Sequence, residues 1–158
     1  MGRAARMITA AAGFAALLAA GVVVAQAQNA PAEIIKQRQE MMKANGAAAK
    51  TLADMMKGEK PYSQEAAHQA AVTIHDNSKK ITSMFPAGTG PEAGVKTGAL
   101  PAIWKDMSDF DAKSKKLEEE SAKLVAANDE AAVKAQFGNV GKACGGCHET
   151  YRAKPEQK

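Results

Sequence analysis

The 158-residue chain has little cysteine, little histidine and few aromatic rings: two Cys, three His, one Trp, two Tyr and four Phe. Each scarcity excludes something. Two cysteines cannot make a multi-bridge scaffold. They stand three positions apart, at Cys144 and Cys147, so a bridge between them would close a very small ring and remove little unfolded-state entropy. Alternating apolar and polar residues of the kind that mark strands are absent, and with them the βαβ setting of a thioredoxin-like Cys-x-x-Cys. Charge of one sign is not in excess either. The net charge of +4 falls to +2 once residues 1–27 are set aside, because they hold Arg3 and Arg6 and no acid. Nearly balanced charge is a solvated surface rather than a nucleic-acid footprint, so no nucleic-acid partner is expected.

The one long apolar run lies at the start. Arg3 and Arg6 precede "MITAAAGFAALLAAGVVV", and "AQA" at 25–27 closes the segment. A basic start, an apolar middle and a small-x-small end predict a secretory signal peptide over 1–27, cleaved after Ala27. A soluble domain, 28–158, would then be delivered to a bacterial periplasm. In an oxidising compartment two free thiols tend to be oxidised or modified, so a use for them is needed.

What the mature part does contain is helical periodicity. Four helices are predicted, over Pro31–Lys57, Gln64–Met84, Pro101–Ala127 and Asp129–Lys154. Ser63 and Asn128 are the expected N-caps of the second and fourth. The apolar stripes run through Ile35, Met42, Ala49 and Met56; Ala67, Ala71, Ile74 and Ile81; Ile103, Met107, Phe110, Leu117 and Leu124; and Val133, Phe137, Val140, Cys144, Cys147 and Tyr151. Arg38, Asn45, Ser78, Ser114 and Ser121 interrupt them with polar groups. Phe85–Gly98 is rich in Gly and Pro and reads as a long loop. "KLEEE" at 116–120 reads as a solvated helix surface. The fold class is therefore all-α, an antiparallel four-helix bundle. Its inward-facing small residues leave room for something large.

Cys144, Cys147 and His148 are related by i, i+3 and i, i+4, which puts all three on one side of the last helix. Cys-x-x-Cys-His is the attachment pattern of c-type haem. Two thiols on one side can form thioethers with the haem vinyl groups, and the adjacent imidazole can reach the iron as proximal ligand. Gly145 and Gly146 each cost about 1 kcal/mol of helix propensity and would let a porphyrin edge approach the backbone. A zinc site lacks a fourth ligand; His68 and His75 lie on helix two with no paired spacing to the motif.

"RQEMMKANG" (38–46), "KGEKPYS" (57–63), "IWKDMSDF" (103–110) and "VGKACGGCHE" (140–149) together resemble the class II c-type cytochromes, cytochrome c′ and its low-spin relative cytochrome c-556. The resemblance implies one covalent haem c carried by Cys144 and Cys147, with His148 as proximal iron ligand. It also implies that the first helix crosses the distal face, with Arg38 neutralising a haem propionate and Met42 binding the iron through sulfur. Met41 competes for that place, and His75 is a further candidate. An Arg on an apolar stripe does need an anion or equivalent partners, but Met is also ordinary core filler. Trp104, Phe110, Phe137, Val140 and Tyr151 are candidates for packing on the haem, or simply for core.

The function so implied is that of a single-electron carrier, not an enzyme. Its redox partner would dock weakly through charged residues such as Lys142 and Lys154, and a homodimer through the first two helices is open. The alternative is a c′-like protein with a vacant or labile sixth position that binds NO or CO. A haem-free helical thiol protein is the third reading.

Overall fold

A computed structural model describes residues 16–154, with side chains from residue 30 onward. The leader assignment and its cleavage point therefore lie outside the described side chains, as does Pro155 beyond the last helix. The chain divides after Ala30, and the unit described below begins at Pro31. Helix α1 spans Ala16–Met56, so Pro31 is inside it and not at its start. Proline has no N–H to return to the carbonyl four residues back, so the helix is weakest where the two units meet. Among the described residues no helix is long and apolar enough to cross a membrane.

Four long helices carry the fold: α1, α2 (Gln64–Ser78), α4 (Met107–Val125) and α5 (Glu130–Tyr151), with α3 (Ala102–Lys105) a single turn before α4. Capping chemistry explains where α2, α4 and α5 start. The Ser63 hydroxyl accepts from Ala66 N–H at 3.2 Å, as its place before the second helix predicts. Three boundaries differ from expectation. The second helix stops at Ser78, whose hydroxyl donates to the His75 carbonyl at 2.6 Å and competes with the ladder; a turn and a 3₁₀ segment, Thr82–Met84, follow. The third helix is cut at Asp106, which leaves helical geometry (φ −137°, ψ 70°) and caps Asp109 N–H at 3.0 Å. The fourth is capped by Asp129 rather than Asn128, through Ala132 N–H at 2.8 Å, and ends at Tyr151. Beyond it the backbone is extended, and residues 98–100 pair with 151–153 through Leu100 N–H to Tyr151 O (3.0 Å) and Ala153 N–H to Gly98 O (2.8 Å).

The core follows the predicted stripes. Ile35 and Leu52 of α1, Ile74 of α2, Leu124 of α4 and Val133 and Val140 of α5 are almost completely buried. Between α2 and α4 the buried residues are small. Ser78 and Ser121 hydroxyls lie 3.4 Å apart, Ser114 donates to the Ser78 carbonyl at 3.4 Å, and His75 Nδ1 is 3.3 Å from Ser121 Oγ. Hydroxyls that satisfy one another let two helices approach closely at small desolvation cost.

One acidic residue expected on the surface is buried. Glu120 is 6% exposed and receives Lys116 and Lys123 at 2.9 Å and the Gln136 amide at 2.6 Å, while the same amide also donates to the Glu120 carbonyl. It ties α4 to α5. The bonds from Lys116, Lys123 and Gln136 hold its carboxyl down at about 2, against an ordinary value of 4.5. A depressed folded-state value stabilises the fold above the ordinary value and loses that contribution as pH falls between the two. Glu120→Gln is accordingly expected to lower the urea midpoint at neutral pH. The gap to wild type should narrow as pH drops from 4.5 toward 2, in parallel denaturation curves. A gap that stays constant over that range would show that the carboxylate charge contributes nothing.

Candidate functional site

Near the C-terminal end of α5 the packing opens into a cavity of about 490 Å³ whose wall is overwhelmingly apolar. That is the size range in which small-molecule and cofactor sites fall. Cys144, Cys147 and His148 all line it. The helical spacing does what it must: side chains three and four apart share a face. Both thiols are free and half-buried. Burial raises Cys144 above its ordinary range and pushes Cys147 up to about 11, against a smaller opposing pull from Lys113. Thiols so placed are poor thiolates at neutral pH, which disfavours disulfide-exchange chemistry. Burial, and then the positive charge of Arg152, lowers His148, favouring the neutral imidazole whose lone pair can bind a metal. Among the described residues no group of three His, Cys, Asp or Glu converges as a metal cluster.

Helix α1 supplies the facing wall. Arg38, Met42, Asn45, Gly46 and Ala49 all line the cavity, a run at helical spacing along one face. Met41 is packed against the core but does not reach the wall. His75 sits in the α2–α4 seam and His68 is exposed, so neither meets the cavity. Arg38 is 2% exposed and its guanidinium carbon lies 4.6 Å from the Phe85 ring centroid. Among the described residues it takes part in no ion pair. Its acceptors are neutral: Thr89 Oγ1 (3.0 Å), Thr89 O (2.7 Å) and Thr97 Oγ1 (2.8 Å).

Aromatic rings back the wall in a chain. Phe85 and Phe110 meet edge-on at 4.9 Å, and Phe110 and Tyr151 at 5.2 Å with perpendicular planes. Tyr151 donates to Asp109 Oδ2 at 2.6 Å. That bond, with burial behind it, raises the phenol to about 12. Phe110 and Tyr151 line the cavity as expected; Trp104, Phe137 and Val140 do not. Trp104 stands behind Phe85, with its indole N–H shared between the Phe85 and Pro86 carbonyls at 3.0 Å. Val140 and Phe137 precede Cys144 by four and seven residues, roughly 6 and 10 Å along the axis, in a part of the seam filled by core. Gly145 and Gly146 are also off the wall, and a side chain at either would meet open space. Phe85, Thr97 and Ile103 also line the wall. Phe85 and Thr97 went unread as site residues because they belong to a segment legible only as a loop.

The donor set suits a haem. Two unbridged thiols and a neutral imidazole share one wall, a thioether stands on a second helix, and a buried cation without a carboxylate would meet an acidic edge. This agrees with what the chain is similar to. A family model described as "Cytochrome C'" matches residues 33–152. Cytochrome c-556 of Agrobacterium tumefaciens (strain II Chrys) is 40% identical over 122 residues, 76% of this chain and 97% of its own length. Cytochrome c' of Rhodopseudomonas palustris (strain ATCC BAA-98 / CGA009) is 38% identical over 142 residues, 87% of this chain and 90% of its own. A solved structure of cytochrome c' from Rhodopseudomonas palustris has a TM-score of 0.72 at 37% identity, covering 78% of this chain and 98% of that one. A nitric oxide complex of a mutant cytochrome c prime from Alcaligenes xylosoxidans has a TM-score of 0.69 at 28% identity, covering 78% and 97%. With its haem-attachment pattern on the last helix of a four-helix bundle, the chain belongs to the cytochrome c′ family of class II c-type cytochromes, and its cofactor is one covalent haem c.

Proposed function

We propose that the protein is a periplasmic one-electron carrier with His148 and Met42 as axial ligands, and that it transforms no substrate. The observation that carries this reading is the shared cavity: Met42 lines the same space as Cys144, Cys147 and His148, whereas Met41, one residue earlier, does not. Bound haem supplies an iron that accepts and returns one electron, at a potential that Met ligation raises. The chain's own groups do the rest. Cys144 and Cys147 hold the group through two thioethers. His148 offers a nitrogen lone pair from a site that favours its neutral form. Met42 offers a polarizable sulfur from a half-buried, unbranched side chain that can adjust its reach. Arg38 has N–H groups beyond those it gives the two threonines, and these are free to meet a haem carboxylate. The apolar wall of Phe85, Ile103, Phe110 and Leu117 excludes water around these groups.

Removal of residues 1–27 on export would leave the domain from Gln28, and the family match begins at residue 33, six residues after Ala27. Lys142 and Lys154 are both exposed and remain the proposed contacts for a weak, brief encounter with a redox partner.

A second reading has support of its own. Relatives carry both the c-556 and the c' names, and one structural neighbour is a nitric oxide complex. In that reading Met42 is wall and not ligand, and the protein binds NO or CO. The ferric absorption spectrum separates the two. Wild type is expected to be low-spin with a sulfur-to-iron charge-transfer band that disappears in Met42→Ala and persists in Met41→Ala. A high-spin wild type would sink the carrier reading. Covalent attachment is checked independently: the wild-type chain should keep its haem through acid-acetone extraction, and a Cys144→Ser/Cys147→Ser double variant should release it.

A further inference from the structure

Arg38 is implied by family resemblance to be a counter-charge for a haem carboxylate, but its contacts describe a second task. The loop from Pro86 to Gly98 turns through two left-handed glycines, Gly88 (φ +79°) and Gly94 (φ +70°), and contains only one short 3₁₀ segment, Pro91–Ala93. A segment of that length and composition has little of its own to hold it. Two points eight residues apart on it, Thr89 and Thr97, are both bonded to the same guanidinium. Thr89 is itself 2% exposed and passes its hydroxyl hydrogen on to the Pro86 carbonyl at 2.7 Å. Thr97 Oγ1 also accepts from Ala99 N–H at 3.2 Å. Arg38 therefore closes the loop into a ring, with Phe85 stacked beneath it and the neighbouring Gln39 amide bonded to the Lys96 carbonyl at 2.9 Å.

The connection does not stop at the loop. Residues 98–100, immediately after Thr97, pair with 151–153 at the end of α5, three residues past His148. Met42 is one turn from Arg38 on α1. One side chain thus links the helix bearing the sulfur to the end of the helix bearing the imidazole, through a loop that also supplies the Thr97–Ala99 part of the wall. We infer that Arg38 is a positioning residue: its fork of neutral hydrogen bonds to Thr89 and Thr97 locks the Pro86–Gly98 loop and through it sets the spacing between Met42 and His148, independently of any haem carboxylate. A lysine keeps the charge but has no planar fork with which to hold three acceptors in two directions. The ligand-spacing half of this inference rests on the His148–Met42 reading; the loop half does not.

The test uses haem-loaded protein and two readouts. Amide hydrogen exchange over residues 87–98 reports the lock, and the ferric sulfur-to-iron band reports the ligand spacing. In Arg38→Lys and in Thr89→Val/Thr97→Val, which leaves Arg38 in place, exchange of the loop amides should quicken by about tenfold or more, as loss of one or two buried hydrogen bonds implies. The band should weaken in the same two variants. Thr89→Ser/Thr97→Ser keeps both hydroxyls and should behave as wild type in both readouts. Wild-type loop exchange in Arg38→Lys and in Thr89→Val/Thr97→Val overturns the lock and leaves Arg38 a counter-charge only. Faster exchange with an undiminished band overturns the positioning role. A wild type with no sulfur band refutes the axial-ligand reading and the spacing half with it, while the exchange data still decide the lock.

Discussion

A guanidinium at 2% exposure with no carboxylate partner among the described residues is the constraint around which the site is arranged. Arginine stays charged in a protein, so desolvation cannot be relieved by giving up the proton. Burial does push Arg38 below its ordinary range, and the field of Glu92 offsets that only in part. The charge has to be met by oriented neutral dipoles and by the face of an aromatic ring. Thr89 and Thr97 supply the dipoles and Phe85 the ring. Each of these lies in or beside the loop, so satisfying one charge on α1 fixes the loop beside the cavity wall.

The cavity itself follows from a different economy of size. The buried residues of α2 are mostly small, Ala67, Ala70, Ala71 and Ser78, and α4 adds Ser114 and Ser121. Small residues also stand in the cavity wall, Gly46 and Ala49 of α1, Gly98 and Ala99 ahead of α3 and Ser114 of α4, among larger ones such as Met42, Phe110 and Tyr151. Leu124, Val133 and Val140, by contrast, are almost completely buried. An empty apolar volume is costly, since lining atoms lose their contacts. A bound apolar group restores them. The bundle is accordingly a core completed by its cofactor, not a core with a cofactor placed beside it.

How much of this was legible in the sequence differs by kind of information. Helical spacing alone placed Cys144, Cys147 and His148 together, because those relations are local and a helix leaves them no freedom. The class of fold and most of the buried stripe were legible for the same reason. Helix ends were less so. Asp106 interrupted a helix expected to continue, Asp129 displaced Asn128 as a cap, and a capping Asp looks the same in sequence as any surface Asp. Glu120 stood inside an acidic run and gave no sign that Lys116, Lys123 and Gln136 would enclose it. The partners of Arg38 were least legible of all. They are 51 and 59 residues away, in a segment without periodicity, and no local rule connects a threonine in such a loop to an arginine on another helix. Trp104, Phe137 and Val140 were candidates for haem packing or for core, and they lie in or against the core without lining the cavity. Being apolar on a helix stripe assigns a residue to the core, but does not say which part of the core borders the cavity.

The identity of the distal residue then turns on register. Neighbouring side chains on a helix diverge by about 100°, and of Met41 and Met42 only Met42 lines the cavity. Arg38, one turn before Met42, is bonded to Thr89 and Thr97 of the loop, and these bonds restrain the rotation of α1 there. Asn45, one turn later, adds a second restraint by accepting the Asn77 amide of α2 at 2.8 Å. With the backbone held on both sides, the remaining freedom belongs to the Met42 side chain alone. Whether its sulfur would meet a haem iron or swing aside is then a matter of that side chain's rotamers.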